Sequence, residues 1–187
     1  MKNPISKNYL QKISLSFKSI EDISDEIIRA ANICLKSIKK KNKIIFCGNG
    51  GSAADSLHLS AELVGKFLKK RKSIPALSLT SNTSILTSLS NDFSYEIIFK
   101  RQLESMGTKG DVLFAISTSG KSKNVNQAIN FALSKKMNVI YLTSLKCNIK
   151  PRKNLHLIKV KADRVDRIQE QHIAIGHIIC EFLENSF

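Results

Sequence analysis

Read for hydrophobic periodicity, the chain opens on a helical pattern and then changes period. Between residues 8 and 40 apolar positions recur in two helical stripes: Tyr9/Leu10, Ile13/Leu14 and Phe17, then Ile27/Ile28, Ala31, Cys34/Leu35 and Ile38. Ser19, Ile20, Glu21 and Asp22, with Ser24 and Asp25, predict a break or N-cap between the stripes. From Lys43 onward, short and nearly continuous apolar runs predict strands at 43–47, 75–79, 111–116, 138–142 and 155–160. Helical patterns at about 52–69, 82–90, 94–107, 122–136 and 166–185 separate and follow them. Buried strands alternating with helices imply right-handed βαβ units, hence an α/β fold with a doubly wound, parallel five-stranded sheet. No repeat, low-complexity tract or linker interrupts the pattern, so a single domain is expected over 1–187, with an N-terminal helical arm over 1–42 and the core over 43–187. Ligands of such a fold sit outside the carboxyl ends of the strands.

Composition narrows the function classes. At 187 residues, 42% of them hydrophobic, the chain can bury one sizeable core, which excludes disordered and fibrous classes. No apolar run approaches the length of a membrane span, and the lysine-bearing first twenty residues lack the apolar segment of a secretory leader. Cys34, Cys47, Cys147 and Cys180 form no C-x-x-C pair and read as reduced thiols of a cytoplasmic protein. The net charge of +15 invites a nucleic-acid reading, but the lysines are scattered, with short clusters only at Lys39–Lys41 and Lys69–Lys72. Stacking aromatics are also few, with three Tyr and no Trp. The expectation is a solvated basic surface that steers an anionic substrate, with no nucleic-acid or membrane partner.

The chemistry concentrates in residues 43–67. An apolar run ends in Gly48, Asn49, Gly50, Gly51 and Ser52, and an Ala-rich helical pattern follows directly. A strand, a glycine turn and a helix N-terminus build an anion site from backbone N–H groups and the helix dipole. One helical turn further in, His58 and Glu62 stand four residues apart and share a helix face. Gly48-x-Gly50-x-x-Ala53 fits the loose dinucleotide fingerprint, but the second strand runs into Thr80, Ser81 and Asn82 without the acid that would hold a ribose. The segment 115–122 is close to a P-loop, yet Ala115 replaces its first glycine. Its hydroxyls, Ser117, Thr118, Ser119 and Ser122, suit a phosphate without a nucleotide, or simple helix capping. Asn91-Asp92 alone reads as a cap or turn. In the last helix Gln169 and His177 lie about 80° apart, two turns along one side, while His172 falls elsewhere and reads as structural.

Together these motifs carry a family resemblance. Cys47 to Ser52, His58-x-x-x-Glu62, Asn91-Asp92, Ser117-Thr118-Ser119-Gly120 with Ser122, and Arg167-Ile168-Gln169-Glu170 with His172 and His177 stand in the order and spacing of the sedoheptulose 7-phosphate isomerases, members of the SIS-domain superfamily. The resemblance spans essentially the whole chain, arm included. It implies a cytoplasmic homotetramer with sites built between subunits, interconverting sedoheptulose 7-phosphate and D-glycero-D-manno-heptose 7-phosphate in the first step towards lipopolysaccharide heptose. It further implies that Asn49, Gly50, Gly51, Ser52, Glu62, Asn91, Asp92, Ser117, Thr118, Ser119, Ser122 and Gln169 hold substrate. Glu62 and His177 would be the acid–base pair, and His58, Glu62, Gln169 and His177 would bind one zinc per subunit. Those residue types match the reaction, which removes a proton beside a carbonyl and passes through an enediol. Lys66 stands where the family often has Arg, and Ser144–Asn154 lacks its glycine-rich loop. A catalytically empty relative, binding phosphosugars or adapting a replication initiator, is the alternative; retention of His58, Glu62 and His177 argues against it.

Overall fold

A computed structural model describes residues 7–187; the first six residues of the expected arm lie outside the described residues. The arm is two helices, α1 (Lys7–Lys18) and α2 (Ser24–Lys39), joined by a 3-10 turn at Glu21–Ile23. The break therefore falls where the polar cluster predicts it. Its mechanism differs, because Ile23 occupies the N-cap position of α2 without a side-chain bond. Asp25 and Glu26 instead place negative charge in the first turn, where the helix dipole favours it.

Five parallel strands follow: β1 (Ile44–Gly48), β2 (Ala76–Ser78), β3 (Val112–Ile116), β4 (Asn138–Ser144) and β5 (Leu155–Val160). Their spatial order is β2-β1-β3-β4-β5. Every residue of β1 and β3 is buried, because helices cover both faces. Alternation along each strand then divides the core. Ile44, Phe46, Phe114 and Ile140 face α2 together with α3 (Gly51–Val64) and α7 (Val165–Glu184). Ile45, Cys47, Leu113 and Tyr141 face α5 (Ile98–Met106) and α6 (Lys123–Ser134), with α4 (Thr83–Asp92) at the edge of the same layer. All four cysteines are free and buried. No helix among the described residues is long and apolar enough to cross a membrane.

Several boundaries differ from the expectation for identifiable reasons. The helix expected over 52–69 stops at Val64, where Gly65 ends it with its N–H on the Ala61 carbonyl. The helix expected over 82–90 runs on to Asp92, so Asn91 and Asp92 occupy its last turn. The segment expected as helix over 94–107 begins as a 3-10 turn at Tyr95–Ile97, capped by the Ser94 hydroxyl, which accepts from the Glu96 N–H. β4 continues through Thr143 and Ser144, both buried, because β5 pairs with it along that length.

Candidate active site

The strand order reverses at β1, which has β2 on one side and β3 on the other. The loop leaving β1 leads to α3 on one face of the sheet, and the loop leaving β3 leads to α6 on the opposite face. The two loops part at their carboxyl ends and open a crevice at the topological switch point. On the β1 side Gly50 takes φ 55° and ψ −122°, a conformation that L side chains rarely adopt. The Gln169 amide lies so close to Gly51 that a Cβ there would stand 2.3 Å from its Nε2. Ser52 is buried in the first turn of α3.

On the β3 side Ser122 is the N-cap of α6 but makes no capping bond with its side chain. Its Oγ lies 3.1 Å from the Ser117 Oγ, so these two hydroxyls face each other across the loop. Ser119 accepts from the Lys121 N–H, and the Thr118 carbonyl accepts from the Ser144 hydroxyl. A reciprocal amide pair bridges the crevice: Asn49 donates to Asn124 at 2.8 Å and accepts from it at 2.9 Å. The Tyr95 hydroxyl also donates to Asn49. Asn91 and Asp92, bonded to each other at 2.8 Å, are exposed in the last turn of α4.

A second group of residues forms where α3 and α7 run side by side. Gly51 faces Gln169 near the start of this pairing, and Leu59 fills the space beside Gly176 further along. That close approach sets His58 against His177, with ring centroids 4.9 Å apart in an edge-on arrangement. The Nε2 atoms of the two rings are 3.4 Å apart, and the His58 Nε2 is 3.0 Å from the Glu62 Oε1. Ligand atoms of His58, Glu62 and His177 all lie within 4.8 Å of one another. Two imidazole nitrogens and a carboxylate oxygen converging on one point are a donor set that suits zinc. Burial and the neighbouring His58 ring push the His177 pKa down, while Glu62 pulls it up. The Gln169 amide lies against Gly51, which precedes His58 by seven residues, a helical rise of about 10 Å.

The family model described as the SIS domain matches residues 8–144. A phosphoheptose isomerase of Akkermansia muciniphila is 43% identical over 95% of this chain and 94% of its own. One from Helicobacter pylori is 39% identical over 99% of this chain and 96% of its own. The chain belongs to the phosphoheptose isomerase family. The solved structure of the Neisseria gonorrhoeae phosphoheptose isomerase superimposes with a TM-score of 0.85, at 33% identity, covering 96% of this chain and 98% of that one. The fold expected from the sequence, an SIS-domain α/β sheet behind a helical arm, is thus the phosphoheptose isomerase fold.

Several residues of this phosphoheptose isomerase family member that shape the site have no signal of their own in the sequence. The Phe67 ring stacks on His177, with centroids 5.3 Å apart and planes 28° from parallel. Asp55, one turn before His58, has a buried Oδ2 with no hydrogen-bond partner among the described residues; burial pushes its pKa up to about 6, with His58 pulling it back. Asn124 and Tyr95 reach Asn49 only through tertiary packing. His172 behaves as its position predicts: it is fully buried, and its Nε2 lies 3.2 Å from the Thr143 carbonyl oxygen.

Proposed function

We propose that the chain is an aldose–ketose isomerase that interconverts sedoheptulose 7-phosphate and D-glycero-D-manno-heptose 7-phosphate. The observation that carries this reading is the convergence of His58, Glu62 and His177 on one point, within a chain so similar to phosphoheptose isomerases over nearly its full length. In this reading Glu62 takes the proton from the carbon beside the carbonyl. Its Oε1 faces His58, and the other carboxylate oxygen meets the substrate. His177 moves the hydroxyl proton between the two oxygens of the enediol. Burial favours its neutral form, which can both accept and donate. His58, Glu62 and His177 would hold a zinc ion, which when bound supplies Lewis-acid polarisation of the substrate oxygens. Gln169, whose amide rests against Gly51, would serve the substrate and, as the flexible end of a long side chain, would complete the metal site as a fourth ligand.

The Asn49–Ser52 turn and Asn91–Asp92 would bind the sugar hydroxyls, and Ser117, Thr118, Ser119 and Ser122 the phosphate. The homotetramer with shared sites remains part of the proposal, and two observations support it. Glu62 follows Gly51 by eleven residues, a rise of about 16 Å. The acid–base pair thus lies about three turns along α3 from the crevice, and a neighbouring copy would bring complementary halves together. A groove of about 650 Å³ beside His177, lined by Phe17, Ile20, Ile27, Ile28, Ala174 and Ile178, offers the apolar surface for such a contact. A cytoplasmic place in lipopolysaccharide heptose synthesis follows from the substrate. Steady-state assay of Glu62→Gln and His177→Asn tests the roles. Each should lose about 10²- to 10⁴-fold in kcat while remaining folded, as loss of a general acid or base does; near-normal turnover in either would remove that residue from the chemistry.

A further inference from the structure

The segment between α3 and β2 is held to the far end of α7 by a buried ion pair. Glu184, the last residue of α7, accepts from three successive backbone N–H groups: Phe67 at 3.0 Å, Leu68 at 2.8 Å and Lys69 at 3.0 Å. The Arg71 Nε lies 3.5 Å from the same carboxylate, and the two side chains are only 5% and 1% exposed. The Arg71 guanidinium then turns back onto α3. It donates to the carbonyls of Glu62 at 2.7 Å and Leu63 at 2.8 Å, the acceptors that a helix end leaves without intrahelical partners. Burial alone would raise the Glu184 pKa, yet the three N–H donors and Arg71 hold it low.

The same segment reaches both members of the acid–base pair. Phe67, whose N–H is fixed by Glu184, lays its ring on His177. Arg71, paired with Glu184, grips the main chain of Glu62 itself. Resting on the isomerase reading above, we propose that Glu184, Arg71 and Phe67 are positioning residues for the proton transfer, a clamp that sets His177 and Glu62 in mutual register. Glu184 acts on His177 through Phe67, and Arg71 acts on Glu62 through its carbonyl. None of the three needs to touch substrate, so the clamp governs the chemical step and leaves binding largely alone.

The test combines kinetics with a readout that does not depend on turnover. Phe67→Leu removes the ring and keeps the N–H that Glu184 holds; kcat should fall about 10- to 100-fold with KM within about twofold. Phe67→Tyr keeps the ring and should stay within about threefold of wild type. Adding Glu184→Gln to Phe67→Leu should lower kcat further, because Glu184 also holds the Arg71 that grips the Glu62 carbonyl. In the NMR spectrum of the wild-type protein the His177 ring protons should carry a ring-current shift from Phe67. Glu184→Gln should move that shift toward the Phe67→Leu value. Unchanged kcat in Phe67→Leu, equal losses in the Leu and Tyr variants, or a His177 shift indifferent to Glu184→Gln would each overturn the clamp. Absence of isomerase turnover in the wild type would instead overturn the isomerase reading, while the His177 shift would still judge the clamp.

Discussion

His172 couples the stability of the fold to pH through a single buried ring. It is fully buried on α7, its Nε2 is 3.2 Å from the Thr143 carbonyl oxygen, and its Nδ1 has no hydrogen-bond partner among the described residues. Burial pushes its pKa from 6.5 down to about 4, against a smaller upward pull from the Thr143 carbonyl. The unfolded chain therefore takes up a proton at a higher pH than the folded one. The stabilisation held in the neutral ring is complete above pH 6.5, shrinks as pH falls through the window from 6.5 to about 4, and is gone below it. At 1.36 kcal/mol per pH unit, a difference of this size amounts to about 3 kcal/mol. Urea denaturation of the wild type and of His172→Gln at pH 7.5, 6, 5 and 4.5 measures it. Glutamine keeps a neutral hydrogen-bonding group and removes the titration, so the wild type should lose about 2–3 kcal/mol more than the variant across the series. Parallel stability curves for the two proteins would refute the reasoning, since they would mean that the buried ring charges as easily in the folded state as in the unfolded one.

Three further outcomes follow from the crevice and the metal-capable cluster. Gly51→Ala places a Cβ 2.3 Å from the Gln169 Nε2, and the flexible amide must move; kcat/KM should fall about tenfold while the melting temperature holds or rises, since Ala favours a helix over Gly. Gly50→Ala meets nothing within 4 Å, so its cost is the strained φ of 55° alone: about 1–3 kcal/mol of stability by denaturant titration. Metal-free protein titrated with zinc, with metal content read by mass spectrometry after dialysis, should retain one ion per chain, and His58→Ala or His177→Ala should retain far less.

How much of this was legible in the chain depends on the range of the interaction. The sheet could be read because its strands are buried on both faces, so runs such as Ile44–Cys47 and Val112–Ile116 are apolar without interruption. The Gly50 turn and the His58/Glu62 pair are local features, and local features survive in sequence. Ties to distant partners do not survive. The helix through Glu62 stops at Val64 before Gly65, a local stop signal, but that Arg71 and Glu184 tie down the segment beyond it cannot be read within 60–70. Phe67 reads as an ordinary apolar residue until α7 brings His177 to it. The expectation that His177 meets His58 and Glu62 needed the close approach at Gly176, a contact between residues more than a hundred positions apart. That the meeting occurs within a single protomer was likewise invisible in the sequence.

Isomerisation by this site requires Glu62 to remove a carbon-bound proton. The most direct measurement is incubation of the wild type and Glu62→Gln with sedoheptulose 7-phosphate in deuterium oxide, followed by mass spectrometry and NMR of the sugar phosphates. The wild type should yield an aldose 7-phosphate carrying deuterium at the carbon next to the new carbonyl, and Glu62→Gln should yield essentially none. Equal product from both proteins, or product without deuterium at any stage of the reaction, would contradict it.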